Sequence, residues 1–233
     1  MKIYGIKAYE DNYIWWIEGD KERILVDPGE PGPVLKALRG LEDKETKILL
    51  THSHQDHVGG VPDLKKALAR VQVYGPEETA DYVNEIVKEG DRIQALDREI
   101  SILSCPGHTG GHLVYQLGSH LFVGDVLFMA GCGRVFTGDY RAQYQSLEKL
   151  KNLADETLVY SGHEYSLSNL VFAQGLFPEN QDIQEALTRV RSQRKEGEGT
   201  LPTSISQEKK INPFFLARSL EEFTDYRKLK DRS

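Results

Sequence analysis

Residues 51–57 (THSHQDH) place three histidines and a carboxylate within six positions, directly after an apolar run. Such a run is typical of a buried strand, so the cluster is expected at a strand end. Imidazole and carboxylate bind zinc, iron or manganese in catalytic sites. Side chains at i and i+2 of an extended segment point the same way, so we expect His52 and His54 to bind one ion. Asp56 and His57 are then expected to reach a second ion.

Three further candidate ligands follow predicted strands, namely His108, Asp125 and His163. A carboxylate at the end of an apolar strand is costly to bury unless it is paired, and a metal ion is a natural partner. His112 lies four residues after His108 and has three open interpretations: a ligand, a contact of a ligand, or a structural residue. His120 lies in a predicted polar turn and is expected to be solvated.

Composition limits the class of protein. The chain has 233 residues, enough for one large domain or for one domain with a small appendage. Its net charge of -7 disfavours nucleic acid as a partner. Residues 183–233 nevertheless carry 11 Lys and Arg against 8 Asp and Glu. This basic tail is either a solvated helical surface or a surface that helps to hold an anionic substrate.

No apolar run is long enough to predict a membrane span, and the first residues lack the apolar core of a signal peptide, so we expect a cytoplasmic protein. The two cysteines, Cys105 and Cys132, cannot form a disulfide framework. Neither has a CxxC partner. We therefore interpret both as reduced, packed thiols.

Periodicity predicts a layered α/β fold with two mixed sheets and helices outside them. Strands are predicted at 2–9, 12–18, 23–26, 47–50, 71–74, 99–104, 112–117, 121–124 and 157–161. Helices are predicted at 33–41, 63–70, 76–87, 144–153, 167–174, 183–195 and 220–230, and a loop at 197–213. The last third of the chain is thus expected to be helix and loop.

Several motifs together resemble the metallo-β-lactamase superfamily: HSHQDH, PGHTGGH, the VGD that ends at Asp125, and SGHEY at 161–165. The sequence is most similar to glyoxalase II, the hydroxyacylglutathione hydrolases, because it also contains GCGR at 131–134 and NPF at 212–214. The resemblance implies an αββα sandwich with a small C-terminal helical domain. It places a catalytic domain at 1–165 and a helical substrate-binding domain at 166–233.

The resemblance also implies the ligand set of two divalent metal ions, with zinc expected and iron or manganese as alternatives. The first ion would be bound by His52, His54 and His108, the second by Asp56, His57 and His163, and both by Asp125. Asp56 and Asp125 would be the catalytic carboxylates. Asp27 has the position of a carboxylate that orients a ligand histidine, or it only begins a turn before Pro28.

The implied reaction is hydrolysis of S-2-hydroxyacylglutathione, typically S-lactoylglutathione, by a hydroxide that bridges the two metals. The implied substrate contacts are Arg134 and Tyr165. In this family an arginine commonly stands two residues after NPF and binds the glycine carboxylate of glutathione. Here Leu216 occupies that position, and Arg218 is the displaced candidate. Phe136 stands where some relatives have tyrosine.

Other functions remain open at this point. A thioesterase for a different thiol carrier would explain the displaced arginine, and a persulfide dioxygenase would share part of the ligand set. A β-lactamase is disfavoured, because those enzymes usually have cysteine at the position of Asp125 and lack this tail. A lactonase would not explain GCGR together with GHEY. A non-catalytic or nucleic-acid-binding relative would be expected to have lost ligands, and this set is complete. We expect a monomer whose partner is a small thioester, with neither nucleic acid nor membrane bound.

Overall fold

The structure is a computed structural model that describes residues 1–41 and 43–233. The chain divides into two compact units. The first comprises Met1–Ser104 and Gly111–Gly118, and the second comprises Cys105–Gly110 and Ser119–Ser233.

A mixed six-stranded sheet forms the larger part of the first unit. Its strands, in spatial order, are β1 (Lys2–Ala8), β2 (Asn12–Glu18), β3 (Glu22–Val26), β4 (Glu45–Leu49), β5 (Val71–Gly75) and β6 (Glu85–Ile86). The first three strands pair antiparallel, and β3 to β6 pair parallel. The parallel strands β3 and β4 therefore end at the same edge of the sheet, next to the histidine cluster.

Three helices follow these strands: α1 (Pro31–Leu38), α2 (Gln55–Val58) and α3 (Val61–Ala67). Proline occupies the first turn of both α1 and α3, where no helical N–H is lost. Val34 of α1 and Leu64 of α3 are fully buried in one apolar cluster with Ile48 and Val73 of the sheet. This burial fixes the helices to the sheet.

The first unit also contains an antiparallel ribbon of β7 (Arg92–Ala95), β8 (Arg98–Ser104) and β9 (Leu113–Leu117). Buried and exposed residues alternate along β7, as expected for a strand with one apolar face.

The second unit contains two small groups of strands and most of the helices. The strands are β10 (His120–Gly124), β11 (Leu127–Phe128), β12 (Gly131–Cys132), β13 (Leu158–Ser161) and β14 (Thr203–Ser204). Strand β13 pairs parallel with β10 and antiparallel with β14, and β11 pairs antiparallel with β12. The helices are α4 (Tyr140–Lys151), α5 (Ser166–Leu176), α6 (Gln181–Lys195), α7 (Ile205–Ile211), α8 (Pro213–Leu216) and α9 (Leu220–Lys230).

Side-chain caps set the start of most of these helices. Asp139, Asn180, Ser204, Asn212 and Ser219 each accept a hydrogen bond from a backbone N–H of the following turn. Such caps satisfy N–H groups that have no partner within the helix. An apolar cluster then joins α5, α6 and α7 to the segment between β11 and β12.

The mixed α/β prediction is confirmed, and helix α9 has its predicted bounds. The predicted helix at 76–87 is wrong. Only Glu77–Thr79 forms a 3-10 turn, and β6 follows. Asn84 explains the difference, because its backbone and side chain both bond to Val73 of β5, and its segment is thereby held at the sheet edge. Sheet pairing prevails there over helical spacing.

The loop predicted at 197–213 is also wrong, since it contains β14, α7 and the start of α8. Ile205 and Ile211 are buried, so tertiary packing stabilises a short helix that the sequence pattern does not reveal.

The domain boundary after residue 165 stays a prediction. Among the residues that the structure describes, no helix has both the length and the apolar character needed to cross a lipid bilayer.

Candidate metal centre

The histidine cluster lies just beyond the end of β4, as its sequence predicts. His52 is fully buried, and its Nε2 lies 3.0 Å from Nδ1 of His54. The other ring nitrogen of His52 lies 2.9 Å from the Thr51 hydroxyl. The Thr51 contact fixes the orientation of the His52 ring and directs Nε2 toward His54, as expected for a pair of ligands on one ion.

Asp27 holds the next histidine. It follows β3 in the left-handed backbone region, at φ 50°, and is buried. Its carboxylate accepts hydrogen bonds of 2.7 Å from both the backbone N–H and the hydroxyl of Thr51. Oδ2 also lies 3.0 Å from His57 Nδ1, so the His57 ring turns Nε2 away from Asp27. Of the two interpretations of Asp27, the geometry supports a carboxylate that orients a histidine.

These groups are close enough to bind a cation. One atom each of Asp27, which orients His57, and of the predicted ligands His52 and His57 form a group of three that lie within 4.8 Å of one another. Asp56 is more exposed, and its Oδ2 lies 3.7 Å from His57 Nε2 and accepts a 3.0 Å hydrogen bond from Asn12. The predicted ligands of residues 52–57 are therefore clustered.

Two other histidines have different surroundings. His112 is fully buried, and its ring stacks on that of His52 with centroids 4.7 Å apart and planes 18° apart. Of the three interpretations of His112, this contact favours a residue that packs against the predicted ligand His52. His120 is only partly exposed, and its Nδ1 lies 2.9 Å from the Tyr160 hydroxyl. The prediction that His120 is merely solvated is therefore wrong, because it packs at the start of β10 beside β13.

The second unit brings together its own three candidate ligands. Asp125 follows β10, His163 follows β13 beside it, and His108 lies in the glycine-rich segment. Oδ2 of Asp125 lies 3.5 Å from His108 Nε2 and 3.4 Å from His163 Nε2. Two donors bound tetrahedrally to one zinc ion at about 2.1 Å lie roughly 3.4 Å apart. The separations and the chemistry of these donors thus fit a divalent metal ion.

The backbone after Asp125 fixes the His108 ring. Nδ1 of His108 lies 2.8 Å from the carbonyl oxygen of Arg134, which leaves Nε2 directed toward Asp125. Gly133 permits this approach, because a Cβ there would lie 2.0 Å from the Asp125 carbonyl oxygen and 2.8 Å from His108 Nδ1. Glycine is therefore required at position 133 of GCGR by close packing against the Asp125 carbonyl and the ring of His108, a candidate ligand.

Among the predicted substrate contacts, Tyr165 lies against a candidate ligand. Its ring stacks on that of His163 with centroids 4.7 Å apart and planes 8° apart, and it also meets the edge of the Phe128 ring at 5.2 Å. Arg134 is exposed, with Nε 3.3 Å from Asp231 and its guanidinium over the exposed ring of Phe136. Phe136 in turn meets the His108 ring edge-on at 5.3 Å.

Arg218 has a different environment. Its side chain is 85 % exposed, and its guanidinium binds the carboxylate of Glu222, which lies in the first turn of α9. The Arg218 backbone N–H donates to the same carboxylate at 2.8 Å. Leu216 ends α8 and is partly buried.

The fold and these ligand groups define a metal-dependent hydrolase of the metallo-β-lactamase superfamily, whose family model matches residues 10–163. A second model, the hydroxyacylglutathione hydrolase C-terminus, matches residues 164–233. The chain belongs to the hydroxyacylglutathione hydrolase family, and the identification from sequence motifs is confirmed.

Individual relatives cover nearly the whole chain. A hydroxyacylglutathione hydrolase of Haemophilus ducreyi is 44% identical over 233 residues, 100% of this chain and 99% of the relative. That of Klebsiella pneumoniae is 42% identical over 95% of this chain and 89% of its own length. Among solved structures, ETHE1 from Myxococcus xanthus has a TM-score of 0.75 and 28% identity, and covers 98% of this chain and 90% of its own.

Sequence reasoning missed the fully buried carboxylate of Glu208, which bonds to the segment between β11 and β12. It accepts hydrogen bonds from Ala130 N, Thr203 Oγ1 and Asn212 Nδ2. Its spacing in the sequence could have indicated this role. Glu208 lies four residues before Asn212, the asparagine of NPF, and residues four apart lie on the same face of a helix.

Proposed function

We propose that this chain hydrolyses glutathione thioesters, converting S-2-hydroxyacylglutathione, typically S-lactoylglutathione, into glutathione and a 2-hydroxy acid. The match of both family models along the chain supports this activity. The observation that carries the proposal is the Asp125 carboxylate, whose Oδ2 lies about equally far from His108 Nε2 and His163 Nε2. A carboxylate in that position can be shared by two cations.

The proposed ligand assignment follows the family resemblance. His52, His54 and His108 would bind one ion, Asp56, His57 and His163 the other, and Asp125 both. Zinc is the proposed metal, and iron or manganese are alternatives, because all three accept imidazole and carboxylate ligands. We propose that residues 1–165 supply these ligands and that residues 166–233 help to bind substrate.

Bound divalent ions would supply Lewis acidity, which lowers the pKa of water and polarises a thioester carbonyl. The protein's own residues prepare the geometry for this chemistry. The carboxylate of Asp27 fixes the His57 ring, and the Arg134 carbonyl fixes that of His108. The carboxylates of Asp56 and Asp125 would hold the attacking water by hydrogen bonds to their oxygens.

Three residues are proposed to bind the substrate. Arg134 offers an exposed guanidinium for a carboxylate of the thiol portion. Tyr165, stacked on His163, offers an aromatic wall and a hydroxyl. Arg218 offers a second cation, although its guanidinium must leave Glu222 to bind the substrate.

The pairing of Arg218 with Glu222 favours a second candidate function. If that ion pair persists, one cation for the glycine carboxylate of glutathione is lost. A thioester of a different thiol carrier would then be hydrolysed about as well as the glutathione thioester.

We also propose that the chain is a cytoplasmic monomer and that its only partner is a small-molecule thioester.

Steady-state hydrolysis of S-lactoylglutathione by the metal-loaded chain tests the proposal. A chelator is expected to abolish activity, and added divalent metal to restore it. His108→Ala should remove at least about 99% of activity, because a ligand is lost. His120→Ala is the matched control, since His120 bonds to Tyr160 and is not a proposed ligand. Full activity in the metal-free chain would refute the mechanism.

Carrier specificity needs a separate measurement. The same lactoyl group is presented on glutathione and on uncharged N-acetylcysteamine. A glutathione hydrolase should show a kcat/KM for the glutathione thioester at least about tenfold higher, because charged hydrogen bonds are each worth about 1.5–3 kcal/mol. Equal values would favour a broader thioesterase.

A further inference from the structure

The segment from Phe128 to Cys132, which joins β11 to β12, has an unusual set of hydrogen-bond partners. At each of its five residues a backbone N–H or carbonyl bonds to a side chain from the helices after residue 165. The bonds are Asn212 Nδ2 to Phe128 O (3.3 Å) and Gly131 O (3.0 Å), Asn169 Nδ2 to Met129 O (3.1 Å), Ala130 N to Glu208 Oε2 (2.8 Å) and Arg227 Nη1 to Cys132 O (2.7 Å).

Glu208 and Asn212 form the centre of this network. Both are fully buried, and Asn212 Nδ2 donates to Glu208 Oε2 at 2.8 Å. The other carboxylate oxygen of Glu208 accepts a 2.7 Å hydrogen bond from Thr203 Oγ1. Asn212 also caps α8 through Oδ1, which accepts from Phe214 N at 3.0 Å. The two side chains therefore connect α7 and α8 to one short stretch of backbone.

This polar network is a costly way to hold a loop. Burying a carboxylate is unfavourable unless it is fully hydrogen bonded. Packing alone could anchor Met129 and Ala130, because both already belong to the apolar cluster formed with α5, α6 and α7. Apolar packing is not directional, whereas hydrogen bonds fix the orientation of individual peptide groups. Ala130 is in the left-handed region at φ 53°, a conformation that needs such external support.

The segment from Phe128 to Cys132 leads directly into the backbone carbonyl of Arg134, which orients the candidate ligand His108. Gly133 follows Cys132 and packs against the Asp125 carbonyl and the His108 ring. The next carbonyl, of Arg134, lies 2.8 Å from His108 Nδ1. The segment 128–132 therefore lies within two residues of the backbone that contacts the His108 ring, and of the Arg134 side chain.

We propose that Glu208 and Asn212 are positioning residues for the hydrolase reaction, which fix the Arg134 carbonyl and thereby the orientation of His108 as a metal ligand. This inference rests on the proposed function for its kinetic consequence. Its consequence for metal affinity depends only on the binding of metal by His108. The C-terminal helices would then complete the metal site in addition to contacting substrate.

The test compares three variants of the full chain. Glu208→Leu removes the acceptor of Ala130 N while keeping a similar volume. Glu208→Gln is the rescuing variant, because its carbonyl oxygen can still accept from Ala130 and Asn212 while its NH2 donates to Thr203 Oγ1. Thr203→Val is the matched control, because it removes a hydrogen bond to Glu208 without affecting the segment itself.

Two quantities are measured for each variant: zinc affinity, by competition with a chromophoric chelator, and KM and kcat for S-lactoylglutathione at saturating metal. Glu208→Leu should bind zinc at least about tenfold more weakly, the usual cost of losing a group that orients a ligand. Its KM should rise, because the Arg134 side chain would no longer be held in position to bind the substrate. Its kcat at saturating metal should change less than about threefold. Glu208→Gln and Thr203→Val should stay near wild type in both quantities.

Asn212→Ser provides a second variant in case Glu208→Leu does not fold. Serine still caps α8 but is too short to bond to Phe128 and Gly131, so the same loss of zinc affinity is expected. Val190→Ala, which creates a cavity in the same apolar cluster, controls for general loss of stability and should leave zinc affinity unchanged.

Wild-type zinc affinity and KM in a folded Glu208→Leu or Asn212→Ser variant would overturn the inference. So would an equal loss of zinc affinity in Val190→Ala, since the effect would then be one of stability alone. If the wild-type chain binds zinc but hydrolyses no thioester, the proposed function fails, and the zinc measurement still tests the role of Glu208.

Discussion

Asp27 Oδ2 lies 3.0 Å from His57 Nδ1, and the same carboxylate accepts two hydrogen bonds from Thr51. One buried side chain therefore orients the His57 ring and also holds the backbone just before His52. This relationship connects the end of β3 to the end of β4 and accounts for the conformation of Asp27, whose φ of 50° is unusual for a residue other than glycine.

Replacement of Asp27 by asparagine should weaken metal binding. Asparagine tolerates the same backbone conformation but lacks the charge that favours an Nδ1–H tautomer of His57. We expect metal affinity to fall about 10–100-fold, measured by chelator competition. Asp97→Asn is the control, since Asp97 also has a positive φ, at 55°, and lies in the exposed turn between β7 and β8. Equal effects of the two variants would contradict the role assigned to Asp27.

Asp125→Asn should nearly abolish thioester hydrolysis. The amide has no negative charge to share between two cations, and loss of several kcal/mol of stabilisation lowers the rate at least about 1000-fold. The measurements are kcat/KM for S-lactoylglutathione and the metal content of the purified chain. Asp139→Asn should retain activity, because asparagine caps a helix as well as aspartate does. Substantial activity in Asp125→Asn would exclude a shared carboxylate.

Glu208 should make stability depend on pH. Burial raises the pKa of Glu208 to about 7 from its ordinary value of 4.5. The folded state therefore holds this proton more tightly than the unfolded chain, and the resulting stabilisation is complete below about pH 4.5 and lost as the pH rises through 7. The pKa difference corresponds to about 3 kcal/mol.

Denaturant unfolding of wild type and Glu208→Gln at about pH 5 and pH 8 measures this effect. The glutamine variant does not titrate, so the free energy of unfolding of wild type should fall by about 2–3 kcal/mol relative to it between the two pH values. A difference that does not change with pH would show that Glu208 has the same pKa in both states.

The two candidate cations for the substrate should contribute unequally. Arg134→Ala is expected to raise KM for S-lactoylglutathione about tenfold with little change in kcat, because a charge-assisted contact is lost from ground and transition states alike. Arg218→Ala should raise KM less than about threefold, since Glu222 binds the Arg218 guanidinium through both Nε and Nη2, whereas Asp231 contacts Arg134 at Nε, 3.3 Å away.

Glu222→Gln tests this competition directly. Removing the carboxylate charge should release Arg218 and lower KM, and the effect should disappear in the Arg218→Ala background. An unchanged KM in both Arg218→Ala and Glu222→Gln would remove Arg218 from the substrate contacts.

Both cysteines should be unreactive in the native protein. Cys105 and Cys132 are buried, and burial raises the pKa of the Cys132 thiol to about 11. At neutral pH only about one molecule in 10⁴ would then carry the Cys132 thiolate, which is the reactive form. A disulfide reagent should therefore label neither thiol until the chain is unfolded. Rapid labelling of one thiol in the native state would contradict the packed interpretation.

Local pattern predicted most of the fold and the ligand candidates. The run before His52 and the spacing of residues 52–57 predicted a strand that ends at a candidate metal site, because side-chain direction in a strand follows from sequence separation alone. Apolar spacing likewise predicted α9 with its observed bounds. The helix predicted at 76–87 was wrong because β6 pairs with β5, and the residues that hold this pairing, such as Val73 and Asn84, are 11 positions apart, beyond the reach of helical spacing.

The sequence by itself determined which residues can bind metal and which family the chain belongs to, because these properties depend on residue type and short spacing. Only the tertiary structure decided what holds those residues. It joined Asp27 to His57 and connected Glu208 to Ala130 across 78 positions of the chain. A buried carboxylate becomes recognisable as part of a site only when its hydrogen-bond donors are known, and folding brings those donors together from distant segments.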